Sequence, residues 1–590
     1  MSRTILIGID GMDPVITEEM MGRGQLPNFE RLANSGCYSR LATINPPQSP
    51  VVWSSIATGL DPGGHGIYDF IHRDPATYKP YLSLHQMERG RYVNPVKGET
   101  FWERAAANGN YSTLLKWPMG FPPRPFDGRL LAGLGVPDIR GMLGTYTFFT
   151  SAPDRVAADA KGRIVPIVSR GGSIQTDITG PFTTGLTGRK AASVPLSINI
   201  AGNSITCRIG RQRFTLSPGE WSPWLSVAFD AGFFRTVHGL CRFHLSSVHP
   251  EFALYMTPVN VACDTAEFPL SHPPQYASEL AGAINHYATL GMAEDTNAVN
   301  DGVLDDDGFI ALCDTVMAER EAMFLYELSR FREGILACVF DTTDRIQHIF
   351  WRMHDKNHPA YDASLAERYG DVIPRYYRWM DRIIGIVLEK APGVPIICCS
   401  DHGFGSFRRS VHLNSWLLQH GYLALKPGAG SSEALFESVD WAGTKAYAVG
   451  LTSIYLNLRG REKEGAVSEA EASALKQRLI TELEQFSDGG TKVVLQMHDA
   501  ARLYRNEPGA AAGPDLVAGF AAGYRASWQT AIGGVPEGAI VEDNLKKWSG
   551  DHCCDASLVP GTFFCSAPLP VDAPCVTDLH QVITSLKQHN

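Results

Sequence analysis

The sequence predicts an α/β fold: a mostly parallel sheet flanked by helices, interrupted by a β-rich inserted domain. Three observations carry this expectation. Apolar runs at 4–9 (TILIGI), 335–340 (ILACVF) and 394–399 (VPIICC) stop abruptly at polar residues. Runs of that length, apolar at nearly every position, suit strands buried on both faces of a parallel sheet. Helix-like segments lie between them, at 314–331 and at 372–389, where Trp379, Ile383, Ile386 and Val387 recur at helical spacing. From 154 to 261 the character changes to short, partly alternating segments separated by Gly, Pro, Asn and Ser. The expected organisation is a catalytic core at 1–153 and 262–590 with the β-rich insertion at 154–261. Residues 464–486 predict an amphipathic surface helix, and 508–514 (PGAAAGP) a flexible loop.

Length and charge narrow the function classes. At 590 residues the chain exceeds what one hydrophobic core usually holds. The formal charge of -10 has no basic block within it, which excludes a nucleic-acid footprint built on phosphate neutralisation. The mean hydropathy of -0.10 is that of a globular protein. The opening MSRTILIGID lacks a secretory pattern, and no later run approaches a membrane span. The 12 cysteines, including the pairs Cys398-Cys399 and Cys553-Cys554, form no evenly spaced framework. The expectation is a cytoplasmic protein with buried thiols, and oligomeric state cannot be read.

Five separated segments hold groups suited to divalent metals: Asp10 in ILIGIDGMD, Asp344 and His348 in VFDTTDRIQH, Asp401 and His402 in IICCSDHGFG, His552 in SGDHCCD, and Ser49 in PPQSPVVWSS. The strand-like runs end just before Asp10, Asp344 and Asp401, and open α/β sheets bind ligands beyond the carboxyl ends of their strands. One sheet edge can therefore collect residues hundreds of positions apart. Asp344 and His348 fall one helical turn apart, so both can face one ion. Ser49 stands at a helix start, where its hydroxyl and free N–H groups favour an anion; the plainer reading is an N-cap serine with Pro50 at the first helical position. Other polar residues beside these motifs, His65, Asp69, Arg73, Lys116, His412 and Asn414, are as well explained by salt bridges or caps. Phe214, Trp221, Trp224, Phe229, Phe233 and Phe234 suit a core for the insertion better than a roof over a site.

The order Asp10, Ser49, Asp344-x-x-x-His348, Asp401-His402, His552 resembles the alkaline phosphatase superfamily, and within it the type I phosphodiesterase/nucleotide pyrophosphatase branch with its related phosphohydrolases and phosphomutases. LPNFERLANSG, TGLDPGGHGIYDF and GPDLVAGFAAGYRASW agree with the resemblance. It covers roughly 1–150 and 290–570 and leaves the insertion aside. It implies an alkaline-phosphatase-like core in which Asp344, His348 and His552 hold one divalent cation, and Asp10, Asp401 and His402 hold the other, within reach of Ser49. Two cations about 3.5–4 Å apart can clamp both oxygens of an in-line displacement, and Ser49 would pass through a phosphoseryl intermediate. Mixed Asp and His ligands suit Zn²⁺, with Mn²⁺ as the alternative.

Two departures shape the expected activity. Nucleotide pyrophosphatases of this group carry Thr with Asn three residues on, where this chain has Ser49 and Val52. Sulfatases need a Pro/Ala and Arg pattern where Val51 and Trp53 stand. The expectation is a metal-dependent phosphodiesterase or phosphatase acting on a small-molecule phosphoester. The alternatives are a phosphomutase or phosphotransferase using the same site, and a non-catalytic metal-binding protein on a hydrolase fold.

Overall fold

A computed structural model describes residues 3–185, 188–232, 236–263, 268–504, 513–569 and 574–586. The chain forms two compact units, Met1–Thr113 with Phe331–Asn590, and Leu114–Arg330.

In the first unit the expected apolar runs are adjacent strands. Arg3–Ile9 lies between Gly334–Phe340 and Ile396–Cys399 and is parallel to both, with Ile5 opposite Leu336 on one side and Ile396 on the other. Gly561–Cys565 extends this sheet antiparallel to Ile396–Cys399, and Cys37–Leu41 follows it, also antiparallel. The sheet is thus mixed, with its parallel strands at the positions that the unbroken apolar runs require. A Cβ on Gly8 would stand 2.4 Å from the Trp53 ring. Only glycine lets that indole lie against the strand.

The helix Val372–Lys390 buries Tyr376, Met380, Ile383, Ile384 and Val387, so Trp379 and Ile386 flank the buried stripe and do not form it. Elsewhere in this unit Ala446–Val449, Ser453–Leu456, Leu516–Phe520 and Val494–Asp499 make an antiparallel sheet. The helix Glu469–Gln485 buries Leu475, Leu479 and Leu483, and Ser468 and Glu471 form a capping box at its start. That box sets the start at 469, five residues after the expected 464. Of the loop expected at 508–514, residues 508–512 lie outside the described residues.

The second unit is wider than the β-rich stretch at 154–261. It adds the strand Thr147–Thr150, which pairs with Arg163–Pro166 and Ala253–Met256, and the helix Asp306–Arg330. Ser173–Gly185, Gly188–Ala201, Ser204–Ile209 and Gln212–Leu216 follow as an antiparallel meander. Phe214 and Phe229 belong to this unit's own hydrophobic core. The indoles of Trp221 and Trp224 donate to Gly308 O and Glu319 Oε1. Phe233 and Phe234 lie outside the described residues. Among the described residues no helix is long and apolar enough to cross a membrane. None of the twelve cysteines is in a disulfide.

Candidate active site

Asp10 follows directly on Arg3–Ile9 and its amide donates to Phe340 O at 2.9 Å, so the parallel pairing itself fixes its backbone. Gly11 then turns at φ 69° and donates its N–H to Asp401 Oδ1 at 3.1 Å. Asp401 and His402 follow Ile396–Cys399, and Asp344 and His348 lie one turn apart on the helix Thr342–Phe350. The short strand Gly550–Asp551 pairs with Gly405–Ser406 and delivers His552. All six groups are buried.

Ser49 is the first residue of the helix Ser49–Thr58, with Pro50 next. The N-cap is Gln48, not Ser49: Gln48 is extended, and its carbonyl accepts from the amides of Val51 and Val52, both at 2.9 Å. The serine hydroxyl therefore does no capping. It lies 3.3 Å from Asp10 Oδ1 and 3.3 Å from His402 Nε2.

The three imidazoles share one arrangement. Nδ1 of His348 meets Gly550 O at 2.7 Å, Nδ1 of His402 meets Gly403 O at 3.0 Å, and Nδ1 of His552 meets Pro47 O at 2.6 Å. A carbonyl can only accept, so each Nδ1 carries the proton and each Nε2 offers its lone pair in the neutral ring, the tautomer that metal-binding histidines use. Those Nε2 atoms face carboxylates: His348 lies 3.3 Å from Asp344 Oδ2, His552 3.6 Å from Asp344 Oδ1, and His402 3.1 Å from Asp401 Oδ2.

Ligand atoms of Asp10, Asp401 and His402 lie within 4.8 Å of one another, as do those of Asp344, His402 and His552. His402 stacks on His552 with ring centroids 3.6 Å apart, while His348 and His552 are 5.2 Å apart. His402 therefore stands between the two groups, whereas the expected trio of Asp344, His348 and His552 is more open.

The electrostatics favour added positive charge. Burial, then Asp401 and Asp344, pushes Asp10 well above the usual carboxylate range. Burial acts against the charged form of His402, yet Asp401, Asp10 and Asp344 lift it to about 9. For Asp344, burial is outweighed by His348, Arg345 and His552, which hold it below its ordinary value. Asp344 Oδ1 and Asp401 Oδ2 are buried with no hydrogen-bond partner. A buried carboxylate oxygen without a donor is costly, and two of them facing imidazole lone pairs fit a set of oxygen and nitrogen ligands for divalent cations. A thiol ligand fits less well, because burial pushes Cys553 and Cys554 upward and keeps them protonated.

The other polar residues beside the motifs are occupied elsewhere. His65 bonds Ser55 at 2.9 Å, Arg73 pairs with Glu462 at 2.8 Å, and Lys116 donates to Ala288 O. His412 meets Ser527 at 2.9 Å, and Asn414 donates to Ala448 O and Gly534 O. Asp69 accepts from Gln48 Nε2 at 3.1 Å and from the amides of Leu451 and Ile71. It ties down the residue that precedes Ser49.

Sequence reasoning passed over four side chains that touch this centre. Trp53 Nε1 donates to Asp10 Oδ2 at 3.0 Å, the Arg345 guanidinium bonds Asp344 Oδ2, Trp548 stacks on His348 at 3.7 Å, and Asp551 holds the amide of His552 at 2.8 Å. Arg345 and Asp551 abut ligand candidates in sequence, which was the one available signal. The two tryptophans gave none.

A family profile described as type I phosphodiesterase / nucleotide pyrophosphatase matches residues 4–161 and 209–527. That span includes Asp10, Ser49, Asp344, His348, Asp401 and His402 and stops short of His552. No curated protein matches the chain in sequence. Among solved structures, phosphonoacetate hydrolase from Sinorhizobium meliloti 1021 in complex with phosphonoacetate is 12% identical, over 99% of this chain and 95% of that one, with a TM-score of 0.47. An inactive murine ectonucleotide pyrophosphatase / phosphodiesterase 5 in complex with AMP is 10% identical, over 100% and 96%, with a TM-score of 0.41.

Proposed function

Because the chain belongs to the type I phosphodiesterase / nucleotide pyrophosphatase family, we propose that it hydrolyses small-molecule phosphoesters with two divalent cations and with Ser49 as nucleophile. One observation carries this reading: three Nδ1-tethered imidazoles turn Nε2 lone pairs toward buried carboxylates, two of whose oxygens lack any donor. Asp10, Asp401 and His402 would hold one cation beside Ser49, and Asp344, His348 and His552 the other, with His402 near both. Zn²⁺ suits these ligands, and Mn²⁺ is the alternative. The cations, when bound, supply positive charge to the phosphoryl oxygens and favour the Ser49 alkoxide.

The chain's own groups define the rest. Ser49 Oγ passes its proton to water and bonds to phosphorus as the ester oxygen leaves with its electron pair and takes a proton from water. A second water then cleaves the phosphoseryl ester, freeing phosphate or a phosphomonoester and restoring the hydroxyl. The N-terminus of the helix Ser49–Thr58 favours the negative charge carried through both steps. Gln48, held by Asp69, keeps Ser49 from swinging away. Twelve free thiols suit a reducing compartment, in keeping with a cytoplasmic site of action.

Metal-stripped protein reloaded with Zn²⁺ or Mn²⁺, assayed on p-nitrophenyl phosphate and bis-p-nitrophenyl phosphate, tests the proposal. Turnover should require metal, and Ser49→Ala should lower kcat by roughly 10³-fold or more. Activity that survives chelation or the alanine substitution refutes the mechanism. Preference between the two substrates separates monoesterase from diesterase, and phosphoryl exchange between sugar phosphates without hydrolysis would assign a mutase.

A further inference from the structure

Beside His552 lies a pair of opposite charges that makes no contact with Ser49. Arg525 is buried, its guanidinium 4.5 Å from the Phe407 ring centroid and 4.2 Å from that of Trp528. Its Nε donates to Ala526 O at 3.0 Å, and its Nη1 to Asp551 Oδ2 at 2.6 Å. The same oxygen accepts Trp548 Nε1 at 2.7 Å, while Asp551 Oδ1 accepts the amides of His552 and Cys553, both at 2.8 Å.

Ligand atoms of Asp551, His552 and Cys553 lie close enough together to suggest a third metal group. The hydrogen bonds argue otherwise. Four N–H donors occupy the two oxygens of Asp551, so this carboxylate is saturated in a way that those of Asp344 and Asp401 are not. Its partners divide into one fixed anchor, Arg525, and three groups that lead to the centre. The amides of His552 and Cys553 set the loop that aims the His552 ring, and Trp548 forms the wall on which His348 stacks.

We propose that Arg525 and Asp551 are positioning residues: the ion pair fixes the His552 loop and, through Trp548, the His348 ring, and so sets the geometry of the cation site that includes Asp344. The inference rests on the two-cation reading above. An arginine suits the anchor because its planar fork can lie over two rings while bonding a carbonyl and a carboxylate; a lysine keeps the charge toward Asp551 without the planar fork.

The test is zinc affinity, measured by chelator competition on the full chain, with thermal melting of each metal-free variant as the control for folding. Asp551→Asn and Arg525→Met should each weaken one of the two zinc ions by roughly 10–100-fold, the size expected for groups that orient ligands, and leave the other unchanged. Arg525→Lys, which keeps a charge against Asp551, should recover most of that loss. Wild-type affinity for both ions in folded Asp551→Asn and Arg525→Met overturns the proposal, as does equal weakening of both ions or equal loss in Arg525→Lys and Arg525→Met. Should Asp551→Asn fail to fold, the contrast between the two Arg525 variants decides. A wild-type protein that binds fewer than two ions overturns the two-cation reading instead.

Discussion

Two charge clusters, one buried and one partly so, lie in the same unit, and they are built in opposite ways. In one, Arg73 meets Glu462 at 2.8 Å, and Arg461 reaches Glu462 at 2.9 Å and Asp515 at 2.6 Å. Glu462 Oε2 also accepts the amide of Leu458, and the ring of Tyr455 lies 4.2 Å from the Arg73 guanidinium. Two cations balance two anions, and the carboxylates are well supplied with donors. In the other, Asp10, Asp344 and Asp401 gather around His402, which they lift to about 9, with Arg345 beside Asp344, and one oxygen each of Asp344 and Asp401 has no hydrogen-bond partner. Burial penalises unpaired charge in both places. The first cluster answers the penalty internally and is scaffold; the second answers it only in part and leaves two buried carboxylate oxygens open.

The contrast can be broken by experiment, starting where the effect is largest. Glu462→Gln should destabilise the protein by about 3–5 kcal/mol, because it leaves buried arginine charge uncompensated. Chemical denaturation reads that loss, and the activity of the molecules that remain folded should be unchanged. A cost near zero would mean that the paired cluster is not the scaffold described. Zn²⁺ at a hundredfold excess over its dissociation constant should stabilise the wild type by about 2.7 kcal/mol for each site filled. Thermal melting with and without a chelator measures this, and Glu462→Gln should keep the full metal increment. The smallest effect is the most diagnostic. Asp401→Asn retains an oxygen for the Gly11 amide and places an amide donor where the unpartnered oxygen faces His402. The increment from metal should shrink, since a neutral amide replaces a candidate ligand carboxylate, and in the metal-free protein His402 should titrate lower once Asp401 no longer lifts it. An unchanged metal increment would erase the distinction between the clusters.

Most of the sheet was legible because its signal is local. The runs at 4–9, 335–340 and 394–399 are apolar at nearly every position, and a strand covered on both faces needs that and little else. The acidic residues that end them were legible for the same reason, since strands of one parallel sheet deliver their ends to one edge. Ser49 was half legible. PPQSP marks a helix start, but whether the cap is Gln48 or Ser49 depends on which residue stays extended, and Asp69, far along the chain, holds Gln48 there. The extent of the second unit was legible only in part. Thr147–Thr150 joins it through strands at 163–166 and 253–256, a pairing with no trace in composition.

By itself, then, the sequence determined which residues could form a cation-binding, phosphoester-directed centre and which strands would carry them, because apolar runs and terminal acids are properties of short segments. Tertiary structure alone decided how these groups are presented. It chose the tautomers of His348, His402 and His552 by setting Gly550, Gly403 and Pro47 carbonyls against them. It saturated Asp551 and left Asp344 and Asp401 open. The reason is physical: a hydrogen-bond partner is defined by position in space, and for buried groups from distant segments that position exists only once the strands have packed.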